Sequence, residues 1–487
     1  MPRNQDHGLH FDNSYLRLPS CFYQHVTPET ASQPELVIFN TTLAKTLGLD
    51  FSDTSPAEKA AVLSGQTHLP GGGYFAQGYA GHQFGHFTTL GDGRAIMLGE
   101  HLTPEQQRVD IQFKGAGRTP YSRQGDGKAA LGSMLREYII SESMHALGIP
   151  TTRSLAVVST GDIVLRETPL AGALLTRIAS SHLRVGTFEF AARQEGKDTL
   201  QALMDYTVQR HYPDLVEHEL PALTLLQAVI AKQVTLVVEW MRAGFIHGVM
   251  NTDNMTLSGE TIDYGPCAFI DAYDPNTVFS AIDQNGRYAY QNQPPIAQWN
   301  LARFAETLLP LLSENQTKAI DIAQDCLSDF ADQYQQQWLT MMRNKLGLLE
   351  AQPEDAELIN DLLTWMHKTH ADFTLTFREL SQRQLPEQDR YQTQAFQTWY
   401  ARWQTRLQQN SASHEDAIAL MQRTNPAVIP RNHLVEQALD AAYGHDFTPL
   451  HALLSALKTP YDDCHRTEKY QRPPLPAERV YQTFCGT

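Results

Sequence analysis

The stretch HGVMNTDNMTLSGETIDYG, His247 to Gly265, carries the strongest indications of both fold and chemistry in this sequence. Segments 255–257 and 261–262 have strand character with a turn sequence between them, so they predict a short hairpin. Asn254 and Asp263 would lie near its open ends, where residues that face each other are about 5 Å apart. Asn and Asp oxygens, without Cys or His, favour Mg²⁺ or Mn²⁺ over zinc. The stretch therefore predicts a metal-dependent site for phosphate chemistry.

The spacing within this stretch matches that of a kinase catalytic loop. Protein kinases carry H-R-D-x-x-x-x-N followed by D-F-G, and the Asn and the second Asp hold Mg²⁺. His247 and Asn254 have the same separation here, and Asp263 begins a D-Y-G sequence. The position of the kinase base holds Val249, which cannot accept a proton, whereas Asp253 directly precedes the metal-ligand Asn. The combined spacing favours a kinase-like site over a turn with solvated carboxylates.

The composition predicts a soluble enzyme of one to three domains. The chain has 487 residues, 42% hydrophobic and 19% charged, with a formal net charge of −16. Such a charge argues against a nucleic-acid partner. The most apolar segment, 223–246, is interrupted by charged residues and predicts a buried helix, so we expect no membrane partner. Without a signal-like N-terminus or a C-x-x-C pair among its five cysteines, the chain is expected in the cytoplasm.

A strand followed by a helix in the first half predicts a second part of the site. Val109 to Phe113 is a strand pattern that ends at Lys114, where a kinase-like lobe has its phosphate-binding lysine. The segment 129–147 has apolar residues at helical spacing and carries Glu137, the position of the glutamate that pairs with this lysine in kinases. A lysine at a sheet edge and an exposed helical glutamate remain the alternatives.

Further elements follow from local patterns. Gly91-Asp92-Gly93 predicts a hairpin turn that leads into a strand at 94–98, and 152–159 and 162–168 predict two more strands. Arg177 and Arg184 would lie near the passage between two lobes, as phosphate clamps or as surface charge. The later sequence predicts helices at 223–243, 296–312, 317–345, 354–381, 392–409, 414–423 and 431–443.

Taken in order, several strings resemble the selenoprotein O family of protein adenylyltransferases, the YdiU type, over nearly the whole chain. They are LGDGRAIMLGE, VDIQFKGAGRTPYSRQGDGKAALGSMLREY, HGVMNTDNM, IDYGP, QWNLARFAETLLPL and NPAVIPRNHL. The resemblance implies an α+β, protein-kinase-like fold of two lobes, a small mixed α/β N-lobe and a large, mainly helical C-lobe. It implies an N-terminal extension at 1–70, the N-lobe at 71–185, the C-lobe at 186–460 and a C-terminal tail at 461–487.

The resemblance also implies a reaction, in which ATP lies reversed in the cleft and AMP is transferred to Ser, Thr or Tyr hydroxyls of target proteins with release of pyrophosphate. Transfer of UMP from UTP, with Mn²⁺, is attributed to some members. Asp253 would accept the proton, Lys114 and Glu137 would complete the catalytic set, and Asn254 and Asp263 would bind Mg²⁺ or Mn²⁺. The nucleotide would be held by Gly91, Gly93, Arg94, Lys114, Asp126, Gly127, Arg177, Arg184 and Asp263.

One feature of some relatives has no counterpart here. Cys485 occupies the place of the selenocysteine of animal members, and some bacterial members can bridge it to a cysteine in the loop after D-Y-G. The matching position in this chain is Phe279, which makes such a redox lock doubtful.

Two other functions remain open at the level of the sequence. One is a kinase that transfers the γ-phosphoryl group, although Val249 removes its base. The other is a non-catalytic pseudokinase that only binds ATP, although Asp253 and the metal pair are present.

Overall fold

The computed structural model describes residues 6–463 and 467–484. Its strands are β1 Tyr23–His25, β2 Glu35–Phe39, β3 Phe75–Gln83, β4 His86–Gly91, β5 Ala95–Leu102, β6 Arg108–Lys114, β7 Ala129–Ala130, β8 Arg153–Leu165, β9 Pro169–Ala179, β10 Phe245–Ile246 and β11 Ala268–Phe269. Its α-helices are α1 Thr41–Thr46, α2 Pro56–Leu63, α3 Leu131–Ala146, α4 Val185–Ala191, α5 Asp198–His211, α6 Pro221–Ala243, α7 Gln293–Leu312, α8 Gln316–Lys345, α9 Asp355–Thr369, α10 Phe373–Leu380, α11 Gln394–Leu407, α12 His414–Thr424, α13 Asn432–Tyr443, α14 Thr448–Leu457 and α15 Glu468–Gln471.

The fold is mixed, with an antiparallel sheet in the first part of the chain and helices in the second, as the predicted α+β class requires. Strand order is β1-β3-β5-β6-β9-β8-β2, with β4 paired to β3 and β7 paired to β9. The first 70 residues thus supply β1 and β2 at the two ends of this path. Helix α3 packs on β8 and β9, toward the β2 end of this path.

The prediction of a hairpin turn at Gly91-Asp92-Gly93 was wrong. The hairpin turns instead at Phe84 and Gly85, whose φ angles of 50° and 88° both lie in the left-handed region that a two-residue turn needs. Strands β4 and β5 run in the same direction against β3, and residues 92–94 interrupt them. Residues 91–93 therefore interrupt the strand pairing along one edge of β3. These residues face the cleft described below.

Two predicted strands, at 152–159 and 162–168, are one strand, β8, with an irregular register between Ser159 and Ile163. It pairs along its length with β9, which the sequence analysis missed although it carries Arg177. The apolar run LAGALLTRIA has no clear alternation because successive residues of β9 are buried, so both faces of the strand are covered.

The helices predicted between 223 and 443 are present, with one of them broken in two, and α14 at Thr448–Leu457 was missed. The helix expected at 354–381 is two, because His370 adopts a left-handed φ of 51° after α9 and the Asp372 carboxylate caps α10 by accepting the Leu375 N–H at 2.8 Å. The most apolar helix, α6, begins at Pro221 and ends at Gly244, whose φ is 73°. It is the one helix of the described residues long and apolar enough to span a membrane, and it packs against α7 and α8.

The hairpin predicted between Met255 and Ile262 does not form. Thr256 bridges to Arg184 and Thr261 bridges to Thr151, so each arm of the turn pairs with a different segment of the chain. The turn itself is held by Thr256, whose hydroxyl donates to the Glu260 carbonyl at 2.7 Å and accepts the Glu260 N–H at 2.9 Å. This arrangement places the stretch from His247 to Gly265 between the sheet and α6.

Candidate active site

A cleft of about 730 Å³ lies between the sheet and the turn after α6. Its floor is formed by β6 and β9, and its rim by the break after β4 and by the loop before β7. The predicted site residues that line it are Gly91, Gly93, Arg94, Lys114, Asp126, Gly127, Arg177, Arg184, Asp253, Asn254 and Asp263. The structure therefore brings the predicted nucleotide, base and metal positions into one cavity.

Lys114 and Glu137 form the predicted ion pair. Lys114 is the last residue of β6, and Glu137 lies in the second turn of α3, which packs behind the sheet. Lys114 Nζ is 2.6 Å from Glu137 Oε2 and 2.7 Å from Asp263 Oδ1, and both Lys114 and Glu137 are buried. The glutamate thereby orients the amine toward the cleft.

Arg177 was predicted near the site, but its contacts were not. It stands opposite Gln112 on the strand next to β6, so its side chain reaches the same acids as Lys114. Its Nε and Nη2 donate to Glu137 Oε1 at 2.9 and 2.6 Å, and Nη2 also donates to Asp263 Oδ1 at 2.6 Å. The guanidinium is fixed by carboxylates on one side, which leaves its orientation little freedom.

Asp263 is the centre of this cluster. Arg184 Nη1 donates to Asp263 Oδ2 at 3.0 Å and to the Asp253 carbonyl at 2.8 Å. Burial opposes ionisation of Asp263, but Lys114, Arg177 and Arg184 outweigh it and hold the pKa of this carboxyl well below its ordinary value. Three cations thus face the carboxylates of Glu137 and Asp263. Over the whole cleft, seven Lys and Arg side chains line the cavity against four Asp side chains, a balance that favours an anionic ligand.

Asp253 has the opposite environment. It lies in the 3₁₀ turn Thr252–Asn254, and its Oδ1 is buried without a hydrogen-bond partner among the described residues. Burial raises the pKa of this carboxyl to about 6, although Arg184 opposes the change. A Cβ at Gly81 would lie only 2.3 Å from Asp253 Oδ1, so the strand β3 packs directly on the carboxylate. A buried, unpaired carboxylate with this pKa is suited to accept a proton.

The donors around Asn254 fit a hard divalent cation. Asn254 Nδ2 donates to the Val249 carbonyl at 2.9 Å, which fixes the amide group and leaves its oxygen as the atom available to a ligand. Asp263, whose oxygens accept from Lys114, Arg177 and Arg184, is the second member of the predicted pair. The pair contains oxygen donors only, as Mg²⁺ and Mn²⁺ prefer. In residues 6–463 and 467–484, no group of three or more His, Cys, Asp or Glu is arranged for a metal, so an ion here depends on the amide.

The rim of the cleft contains positively charged side chains and closely packed backbone segments. Arg94 Nη1 is buried and has no hydrogen-bond partner in the described part of the chain. Gly127 has a φ of 69°, and a Cβ there would lie 2.0 Å from the Gly117 carbonyl oxygen, so only glycine fits. Asp126 accepts from Arg166 Nη1 at 2.9 Å and from the Lys128 N–H at 3.0 Å, which fixes this loop over the opening.

Two groups near the site were missed by sequence reasoning. Asp92 is buried in the cleft wall, accepts the Gln77 N–H at 3.0 Å, and has its pKa raised to about 6 by burial. Glu189 accepts from Thr252 Oγ1 at 2.5 Å and contacts His82 Nδ1, so it anchors the turn that holds Asp253. No local pattern identifies these residues, because α4, β3 and the turn meet only in the folded chain.

The tail contacts the loop after the D-Y-G sequence. Thr483 N–H donates to the Phe279 carbonyl at 2.8 Å, and Thr483 Oγ1 donates to the Pro266 carbonyl at 2.5 Å. Cys485, named above for its position in the tail, lies outside the described residues.

Comparison with known sequences gives the relatives of this chain. A family described as "Protein adenylyltransferase SelO" matches residues 6–458. A protein named "Protein nucleotidyltransferase YdiU" from Nitrosococcus oceani is 59% identical over 486 residues, covering 100% of this chain and 99% of the relative. Proteins of the same name from Alcanivorax borkumensis and Geobacillus kaustophilus are 57% and 56% identical, over 99% of this chain and 99% and 100% of their own lengths.

Proposed function

The chain belongs to the protein adenylyltransferase SelO family, and from this premise we propose how its cleft transfers AMP from ATP to Ser, Thr and Tyr hydroxyls of target proteins. The observation that carries the proposal is the contrast between two carboxylates of the stretch from His247 to Gly265. Asp263 is held ionised by three cations, whereas Asp253 is buried with an unpaired oxygen and a pKa near 6. Such a contrast separates a charged ligand-binding group from a proton acceptor.

The excess of cations along the cleft supports binding of a triphosphate, which we propose lies reversed. Lys114, Arg177 and Arg184 would stabilise the phosphates that leave as pyrophosphate, and Arg94 would contact them from the rim. Asp126 and Gly127 would hold the opposite end of the nucleotide, where Gly91 and Gly93 allow backbone to approach it closely. The residue types in the cleft fit a polyanion better than any neutral ligand.

The reaction is a single displacement at the α-phosphorus. The acceptor hydroxyl loses its proton to Asp253 while its oxygen forms a bond to the α-phosphorus. The bond from that phosphorus to the bridging oxygen breaks, and the electron pair leaves with pyrophosphate. Glu137 does not touch the reacting atoms in this scheme and instead positions Lys114 and Arg177.

Asn254 and Asp263 would hold the divalent ion, Mg²⁺ or Mn²⁺, which when bound neutralises phosphate charge during attack. Asp263 is shared with the cationic cluster, so its position depends on Arg177 and Arg184 as well.

Several finer assignments form part of the proposal. UTP would be accepted where ATP is, since the cluster contacts phosphates that both nucleotides share. The sheet with α3, residues 71–185, would be the small lobe of a protein-kinase-like fold and 186–460 the large lobe, with 1–70 as an extension and 461–487 as a tail. We place the protein in the cytoplasm, where ATP and its protein substrates occur.

Two labelled nucleotides test the reaction. With ³²P on the α-phosphate, a target protein in a cell extract should become labelled, and with ³²P on the γ-phosphate it should not. Asp253→Ala should remove the labelling while ATP binding persists, because the cationic cluster remains. Transfer of the γ-label would identify a kinase, and ATP binding without any transfer would identify a pseudokinase; either result would overturn the proposal.

A further inference from the structure

A groove of about 620 Å³ continues the cleft on the side of the base. Phe84 at the tip of the β3–β4 hairpin and Ile282 in the loop before α7 line both the cleft and the groove. Arg287, Pro295 and Ile296 line the groove beyond them. The catalytic scheme above assigns nothing to this groove.

The groove wall is hydrogen-bonded to the turn that carries Asp253. Phe84 N–H donates to Asn251 Oδ1 at 3.0 Å, and His82 N–H donates to Thr252 Oγ1 at 2.7 Å. Asn251 and Thr252 directly precede the base in the sequence. A chain that lies in the groove is therefore bounded by the same hairpin that positions the proton acceptor.

The groove contains an apolar surface. Ile282 is 61% exposed, among the most exposed large hydrophobic side chains of the described residues. Phe84 packs its ring 5.2 Å from that of Tyr288, so one face is fixed. Exposed aliphatic and aromatic groups beside a catalytic cleft are suited to an apolar side chain of a bound polypeptide.

The groove also contains a cation without a carboxylate partner. The Arg287 guanidinium lies 4.9 Å from the Trp299 ring centroid, and no ion pair to it occurs within residues 6–463 and 467–484. Asp283, the nearest acid in sequence, instead accepts the backbone N–H groups of Arg287 and Tyr288 at 2.9 and 2.8 Å. Arg303 lies over the same Trp299 but pairs with Glu306 at 2.6 Å.

An unpaired arginine is notable in a chain of net charge −16. The Trp299 ring covers one face of the guanidinium. Its Nε is buried, and the guanidinium hydrogen-bonds the Tyr288 side chain, so its remaining terminal N–H groups are the donors for a carboxylate. The net negative charge of the whole protein would repel a long polyanion. One or two acidic side chains would lie mainly against Arg287, because the Asp283 carboxylate, which also lines the groove, accepts two backbone N–H groups.

We infer that this groove binds the protein substrate through an acidic segment that flanks the acceptor hydroxyl. A glutamate or aspartate of the segment pairs with Arg287, and a neighbouring apolar side chain packs on Phe84 and Ile282. This inference rests on the proposed function, since it places the acceptor hydroxyl near Asp253.

Peptide binding tests the groove separately from catalysis. Two fluorescein-labelled peptides share one tyrosine and one leucine and differ only in their flanks, glutamate in one and glutamine in the other. Fluorescence anisotropy gives the Kd of each for the wild type, for Arg287→Gln, and for Arg383→Gln as a control. Arg383 is 79% exposed, lines none of these cavities, and removes the same charge.

We expect the glutamate peptide to bind the wild type about threefold to fivefold more tightly than the glutamine peptide, the range of a partly exposed ion pair. The preference should disappear in Arg287→Gln, persist in Arg383→Gln, and shrink at high salt. Equal affinity of the two peptides for the wild type, or a preference retained in Arg287→Gln, would overturn the inference. Tighter binding of a single-stranded oligonucleotide than of the glutamate peptide would overturn it as well.

Transfer of α-label to the same peptides separates this inference from the reaction. A glutamate preference in binding without any transfer of α-label contradicts the proposed function and leaves the groove assignment standing. Transfer of α-label at equal kcat/KM to both peptides contradicts only the groove assignment. For the wild type we expect the glutamate flanks to lower KM and leave kcat unchanged, since the groove binds substrate away from the reacting atoms.

Discussion

Asp253→Asn should stabilise the protein while it abolishes transfer. The carboxyl is buried, and one oxygen has no hydrogen-bond partner in the described residues. Its pKa rises from an ordinary 3.8 to about 6 on folding because burial penalises the charged form. At pH 8 this difference costs the folded state about 3 kcal/mol, since a pKa difference of one corresponds to about 1.4 kcal/mol. Asparagine carries no charge and avoids this cost.

The effect has a defined pH dependence. Above pH 6 the carboxylate is ionised in both states, and the penalty is fully present. Between pH 6 and 3.8 the folded state takes up its proton first, so the penalty declines. Below pH 3.8 both states are protonated and the penalty vanishes. The stability difference between Asp253→Asn and wild type should therefore be largest at pH 8 and smallest near pH 4.

The expected change in Tm follows from the size of the chain. An unfolding entropy of about 2.1 cal/mol/K per residue gives about 1 kcal/mol/K for 487 residues that unfold in one transition. A gain of about 3 kcal/mol thus raises Tm by about 3 °C. Scanning calorimetry of nucleotide-free protein in EDTA, at pH 8 and near pH 4, measures this change.

Asp263→Asn is the matched control with the opposite sign. Its carboxylate accepts from Lys114, Arg177 and Arg184, and its pKa lies well below the ordinary value, so it stabilises the fold above pH 4. Asp263→Asn removes the negative charge that these buried cations face. This should lower the free energy of unfolding by about 3 kcal/mol and the Tm by about 3 °C. A Tm for Asp253→Asn at or below that of wild type at pH 8, or a difference that does not change with pH, would refute the reasoning.

Three further predictions follow from the same geometry. Lys114→Met should lower kcat/KM for α-label transfer by about a hundredfold or more, and Glu137→Gln by less, because Glu137 only orients the amine; equal losses in steady-state kinetics would contradict this order. Gly81→Ala should reduce transfer while ATP binding, measured by calorimetry, stays intact, because a Cβ would lie 2.3 Å from Asp253 Oδ1; wild-type rates would show that the carboxylate has room to move. Burial lowers the pKa of His211 to about 3, so the unfolded chain binds a proton before the folded chain does. The free energy of unfolding should therefore fall by about 2 kcal/mol between pH 7 and 5. If the Tm of His211→Gln falls as steeply over this range as that of the wild type, the loss does not come from His211.

Much of the site could be predicted from the sequence because its signals are local. Lys114 ends a strand and Glu137 lies on the following helix, so the phase of each element already directs both side chains to one region. The spacing of Asp253, Asn254 and Asp263 within one short stretch keeps them near each other in any compact fold.

The errors have a common physical cause. The turn after Asn254 was predicted to pair with itself, but Thr256 and Thr261 bridge to Arg184 and Thr151 instead. Strand propensity indicates that a segment will pair with another strand, but it does not indicate with which strand. Strand β9 was missed for a related reason, since a strand buried on both sides has no alternation to detect.

The sequence alone predicted which residues meet in the cleft, because residue type and close spacing are local properties of the chain. Only the tertiary structure decided how they are charged. The pKa of Asp253 is raised by burial against Gly81 and β3, and that of Asp263 is lowered by cations from β6, β9 and the start of α4. Burial and ion pairing arise from segments far apart in sequence. These contacts shift the pKa values of two carboxylates ten positions apart in opposite directions.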